Sequence, residues 1–233
     1  MFVIVKNGWK AKWEQTMEKT DKIFTGSLKR GEMGEEIFIS SLAGSKAVKK
    51  VYDARSSAKY QAMDIDFVID VMPKSMLSNL AGSTRVSVEL KTDFTVYQNL
   101  YYEKYSCREL HTAGCMEKTK SEVLVYYFIR KKFFYVLKTE TFRAWVQEHS
   151  EDFIKNFKEE RGRFGIYHKE AFLIPTSSID AAVKSNKIIG KKVQVSDAFS
   201  KQRVAKLEDC YYRKIAVLHD GRKIRNAFEN MDG

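Results

Sequence analysis

The stretches AMDIDFVIDV (residues 62–71) and RVSVELK (residues 85–91) decide the fold. In the first, Ile65, Phe67, Ile69 and Val71 alternate with Asp64, Asp66, Val68 and Asp70. In the second, Val86, Val88 and Leu90 alternate with Ser87, Glu89 and Lys91. Period-two alternation marks a strand with one face in a core, and residues two apart share a face. Glu89 and Lys91 therefore point the same way, and Asp64 and Asp66 are expected to do likewise. If the two strands pair across the connection from Met72 to Thr84, an Asp, a Glu and a Lys meet at one point.

Clustered carboxylates raise one another's pKa unless a positive charge compensates. A hard divalent cation does so, because magnesium takes carboxylate oxygen, backbone carbonyl and water. A lysine beside it can orient a bound water and stabilise negative charge developing on phosphate. An isolated D-x-D or E-x-K is common on solvent-facing strands. Its weight here comes from coincidence with the alternation and with a helix upstream.

That helix is expected over Glu32–Leu42, where Met33, Ile37, Phe38, Ile39 and Leu42 form an apolar stripe after Gly31 and before Gly44. Residues 9–24 read as a helix or ordered arm, Ala47–Ala54 as a strand, and Arg55–Tyr60 and 73–83 as polar connections. Further strands are expected at Asn99–Tyr105, Glu122–Ile129 and Phe133–Lys138, and a helix at Thr141–His149. The organisation expected is an N-terminal arm (1–29), an α/β core (30–175) and a basic C-terminal appendage (176–233).

The chain has 233 residues, 44% of them hydrophobic, enough for a sizeable core. Three cysteines argue against a disulfide framework. The N-terminus reaches Lys6 too soon for a secretory core, and no apolar run approaches the ~20 residues of a membrane span. A soluble, cytoplasmic protein without a membrane partner is expected. The net charge of +11 suits a phosphate polyanion, so nucleic acid is the natural partner. Lys184–Arg225 holds twelve Lys/Arg against four Asp/Glu, which makes it a candidate DNA-facing surface or a solvated one. No Walker or dinucleotide fingerprint occurs, which disfavours ATP-driven or redox chemistry.

Together these motifs resemble the PD-(D/E)xK, or restriction-endonuclease-like, nuclease superfamily over roughly residues 30–150. Asp66 and the Glu89-Leu90-Lys91 run match its core motif, and Gly31 with Glu35 matches the preceding Gly-x-x-x-Glu helix, Glu36 standing next in line. Asn99, Glu103, Gly114, Lys118, Lys120 and Glu122 fall on the pattern of a phage-type subgroup. The proline of the motif name is absent, Met63 or Ile65 standing near it, and Cys115 replaces an aromatic.

The resemblance implies a mixed central β-sheet flanked by helices and a DNA nuclease using Mg²⁺ or Mn²⁺. A phage-encoded enzyme would work in the host cytoplasm, and a homodimer is left open. Asp66, Glu89 and the Leu90 carbonyl would hold metal, Glu35 would act directly or through water, and Lys91 would position the attacking water. Asp64 is the alternative to Asp66. The competing function is a nucleic-acid-binding protein on the same scaffold that does not cut.

Two other patterns carry less. Cys107, His111 and Cys115 have C-x3-H-x3-C spacing, but structural zinc takes four ligands and no fourth is apparent. Tyr97, Tyr101, Tyr102 and Tyr105 are candidates to stack on unpaired bases, or simply a half-buried aromatic strand.

Overall fold

The computed structural model describes residues 31–39, 42, 45–162 and 165–194. Its elements in chain order are α1 (residues 31–39), β1 (Val48–Asp53), α2 (Ala58–Gln61), β2 (Phe67–Val71), α3 (Met76–Ala81), β3 (Arg85–Asp93) and β4 (Asn99–Cys107). There follow β5 (Thr112–Ala113), α4 (Cys115–Lys118), β6 (Val123–Phe128), β7 (Phe133–Lys138), α5 (Thr139–Glu148), β8 (Ile154–Gly162), β9 (Gly165–Pro175), α6 (Thr176–Lys184) and β10 (Gly190–Gln194). The expected arm at 1–29, Gly44 and most of the basic run beyond Gln194 lie outside the described residues.

The main sheet runs β1-β2-β3-β6-β7-β10, and a second runs β5-β4-β9-β8. All neighbours in the main sheet are antiparallel except β3 and β6, which makes it mixed. A parallel pair needs a long crossover, and residues 94–122 supply it. Each face of the sheet has its own apolar layer. Val86, Val88 and Leu90 of β3 pack with Met33, Ile37 and Phe38 of α1 and with Leu77 and Leu80 of α3. On the other face Leu124, Tyr126 and Phe128 of β6 meet Leu100 and Tyr102 of β4, Phe172 of β9 and Trp145 of α5. The molecule is a mixed α/β fold with a strand-rich centre and flanking helices.

Three expectations are corrected. First, the strand read over 62–71 begins only at Phe67, because Asp64 takes a left-handed φ of 47° and turns the chain. Ile65, which seemed to continue the alternation, packs instead in a small separate cluster with Ala54 and Val68. Asp64 and Asp66 thus do not share a strand face.

Second, the connection at 73–83 contains α3. The Ser75 hydroxyl accepts a hydrogen bond from the Ser78 N–H at 3.2 Å, and Gly82 (φ 76°) ends the helix in the left-handed region. Third, Pro175 is no boundary. Ile179 and Ala182 of α6 and Ile188 are core residues, and β10 pairs with β7 from Gly190–Leu137 to Gln194–Phe133. The antiparallel pair β8–β9 forms half of the second sheet.

Candidate active site

Asp66 sits where β2 enters the sheet, and two hydrogen bonds tie it to β3. Its N–H donates to the Val88 carbonyl (3.0 Å), and its carboxylate Oδ2 accepts from the Leu90 N–H (2.8 Å). The β2–β3 register pairs Phe67 with Val88, so one step beyond it Asp66 stands opposite Glu89. Opposed residues of an antiparallel pair present their side chains to the same face.

Glu89 is 2% exposed. Its Oε1 pairs with Lys91 Nζ, and its Oε2 has no hydrogen-bond partner among the described residues. Burial pushes its pKa up to about 8, opposed by Lys91 and assisted by Asp66 and Asp64. Burial works against the Lys91 ammonium, but neighbouring Cys115, Glu89 and Asp66 outweigh it and raise its pKa. The Lys91 side chain as a whole remains about one-third exposed, against 2% for Glu89.

From the other side, α1 delivers Glu35. Burial raises the Glu35 pKa, Arg55 opposes this, and Asp66 and Glu32 add to it. Arg55 pairs with Glu35 and, through Nε, with Asp53 at 2.8 Å; the guanidinium lies 5.4 Å from the Phe67 ring centre. Glu36 is exposed. The close helix–sheet contact is made at Gly34, not Gly31: a Cβ on Gly34 would overlap the Thr92 side chain, whereas one on Gly31 would meet nothing.

Asp64 is engaged elsewhere. Its carboxylate pairs with Lys118 Nζ at 3.1 Å, and its carbonyl accepts from the Thr119 hydroxyl at 2.6 Å. It is near enough to raise the pKa values of Glu89 and Cys115. The opposite wall is β4 with α4. The Cys115 N–H donates to Glu103 Oε1 at 3.4 Å, and a Cβ on Gly114 would lie 2.7 Å from the Glu103 carbonyl carbon. Burial pushes the Cys115 thiol up to about 11, with Lys91 opposing and Glu103 adding.

Asp66, Glu89 and Lys91 are therefore brought together, Glu35 lies beside Asp66, Leu90 meets Asp66 through its backbone, and Asp64 lies at the margin. Arg55 was missed: a single arginine in a polar loop carries no local signal. Cys107, His111 and Cys115 form no common site, since no group of three His, Cys, Asp or Glu able to hold a metal occurs among the described residues. Of the tyrosines, Tyr97 is exposed, Tyr101 is half-buried, Tyr102 is buried with its hydroxyl on Glu117 (2.8 Å), and Tyr105 packs on His111. Glu122 is structural, accepting from the Ser87 N–H (2.8 Å) and Ser87 hydroxyl (3.0 Å).

The donor set suits a hard divalent ion of low protein coordination. Magnesium binds through one or two carboxylates and keeps several waters, so a cage of three side chains is not required. A buried Glu89 oxygen with no partner, beside Asp66, is the arrangement such an ion would satisfy. No family model, curated protein or solved structure matches the chain. No helix among the described residues is long and apolar enough to cross a membrane.

Proposed function

We propose that this chain is a divalent-metal-dependent DNA nuclease of the restriction-endonuclease-like type. The observation that carries this reading is the Asp66–Glu89–Lys91 arrangement. Asp66 is tied to the backbone on both sides of Glu89, while Glu89 holds Lys91 with one oxygen and leaves the other unpaired in a buried setting. A structural ion pair has no use for an orphan buried oxygen, which costs about 1–3 kcal/mol.

Asp66 and Glu89 would hold Mg²⁺ or Mn²⁺, with the Leu90 carbonyl available beside them. The bound ion would supply Lewis-acid charge and a more acidic water. Lys91 would hold a charged ammonium beside Glu89, which suits it to orient the attacking water and to offset charge on the scissile phosphate. Glu35, half-buried next to Asp66, can accept a proton or hold a water. Arg55 fixes Glu35 from behind. The chain's net charge of +11 favours a polyanionic substrate.

The test is incubation of the purified chain with linear, circular, single-stranded and branched DNA in Mg²⁺, Mn²⁺ or EDTA. Cleavage of at least one substrate is expected with the metals and none with EDTA. Cutting that survives EDTA, or that survives both Lys91→Ala and Glu89→Ala, would overturn the proposal. Tight salt-sensitive binding without cleavage of any substrate would replace it with a non-cutting DNA-binding role.

A further inference from the structure

The two sheets have four edges, and three are protected against pairing with another chain. Edge β1 carries exposed Lys49 and Lys50 and a register break between Val48 and Lys50. Edge β10 is five residues long and bears Lys191 and Lys192, and edge β5 has only two residues. Lysine, irregular pairing and shortness are the usual devices that stop edge-to-edge association. The fourth edge, β8, is neither short nor irregular, and its lysines, Lys155 and Lys158, stand among Glu159, Glu160 and Arg161, so the edge carries both signs of charge. It runs nine residues, pairs with β9 in unbroken register from Ile154–Leu173 to Gly162–Gly165, and has no strand on its outer side among the described residues. Its apolar side chains are exposed, Ile154 by 68% and Phe157 by 50%, with the Arg108 guanidinium 4.9 Å from the Phe157 ring centre.

The charges of β8 also complement themselves. A two-fold axis perpendicular to the sheet keeps every side chain on its own face, so it must pass through a residue rather than between two. With the axis on Phe157, residues whose numbers sum to twice 157 face each other. Phe157 then meets its own copy, and Lys155 lies opposite Glu159 of the second copy twice over, on the same face. An axis on Lys158 would oppose Lys155 to Arg161, and one on Glu159 would oppose that glutamate to itself. Opposite charges and aromatic pairs directly across strands stabilise a ladder, whereas like charges weaken it. Among the described residues Lys155 forms an ion pair only with exposed Glu151 (3.1 Å), a pair that a new partner can share.

We propose that two copies of this chain associate through antiparallel β8–β8 pairing centred on Phe157, joining the two four-stranded sheets into one of eight strands. The dimer would relate two candidate sites by a two-fold axis, the symmetry shared by the two backbones of duplex DNA. Its test does not depend on cleavage and can fail independently of the nuclease reading.

The full chain is measured by sedimentation equilibrium and light scattering at micromolar concentration, with circular dichroism as a check on folding. The wild type is expected at twice the chain mass of 27.0 kDa. Lys155→Glu and Glu159→Lys should each shift the population to monomer. Combining them restores opposite charges across the axis and should bring the dimer back. Recovery in the double variant separates lost pairing from lost folding. A monomeric wild type, a dimer indifferent to both single reversals, or a double variant that stays monomeric would overturn the proposal.

Discussion

The polar face of β3 carries two glutamate contacts only two residues apart, and they are treated in opposite ways. At Ser87, the Glu122 carboxylate reaches across from the start of β6 and accepts from both the backbone N–H and the hydroxyl, with Ser83 a further contact at 3.4 Å. At Glu89, the carboxylate is buried, holds Lys91 with one oxygen and leaves the other without a partner among the described residues. The first glutamate is satisfied and closes the gap between two strands. The second has an oxygen that the proposed metal ion would satisfy. On that reading the contrast separates a structural acid from a working one.

The sharpest way to break that contrast is to measure cleavage. Glu89→Ala or Lys91→Ala should lower the rate on the order of a hundred- to a thousandfold. Glu122→Ala should leave the rate of the folded fraction unchanged. Equal losses in all three would erase the distinction between the two ends of β3.

The next effect is on stability in chelator. The folded pKa of Glu89 is raised from 4.5 to about 8, so folding favours the protonated acid. Its contribution is fully present below the unfolded pKa and is lost as pH rises through about 8. Glu89→Gln, which is never charged, should therefore be more stable than wild type near the upper end of that range, by on the order of a few kcal/mol in urea melts. The gap should close toward pH 4.5. Adding Mg²⁺ should raise the wild-type melting temperature and leave that of Glu89→Gln nearly unmoved. A variant less stable than wild type at high pH would show that Glu89 is a structural acid after all.

A smaller loss is expected at the satisfied end. Glu122→Ala strips the Ser87 N–H of its acceptor and should cost about 2 kcal/mol by thermal melt. Least of all, Lys118→Ala removes a half-exposed partner of Asp64 and should cost about 0.5 kcal/mol or less. A loss at Lys118 as large as that at Glu122 would make Asp64 a structural anchor, contrary to its place at the margin of the site.

Much of this was legible before any coordinates. The alternation of Val86, Val88 and Leu90 placed Glu89 and Lys91 together on the opposite face of one strand. The stripe of Met33, Ile37 and Phe38 gave a helix whose other side carries Glu35. The turn at Asp64 was not legible, because Ile65 is as buried as Phe67 but in a different cluster, and two environments produced one unbroken alternation. Nor was the extent of the fold. Lysines at 191 and 192 look like a solvated surface in sequence, yet they stand on an edge strand paired with residues more than fifty positions earlier. The place of Arg55 depends on α1 and the β1–α2 turn meeting in space, which no local pattern records.

Sequence alone determined that one strand would present a carboxylate and an ammonium side by side, since strand periodicity is a property of neighbouring residues. It also determined that an amphipathic helix would precede that strand. Only the tertiary structure decided that Asp66, rather than Asp64, faces Glu89, and that Glu89 is buried while holding Lys91. Those outcomes depend on the register between β2 and β3 and on how much water the packed layers exclude, and both arise between segments rather than within them.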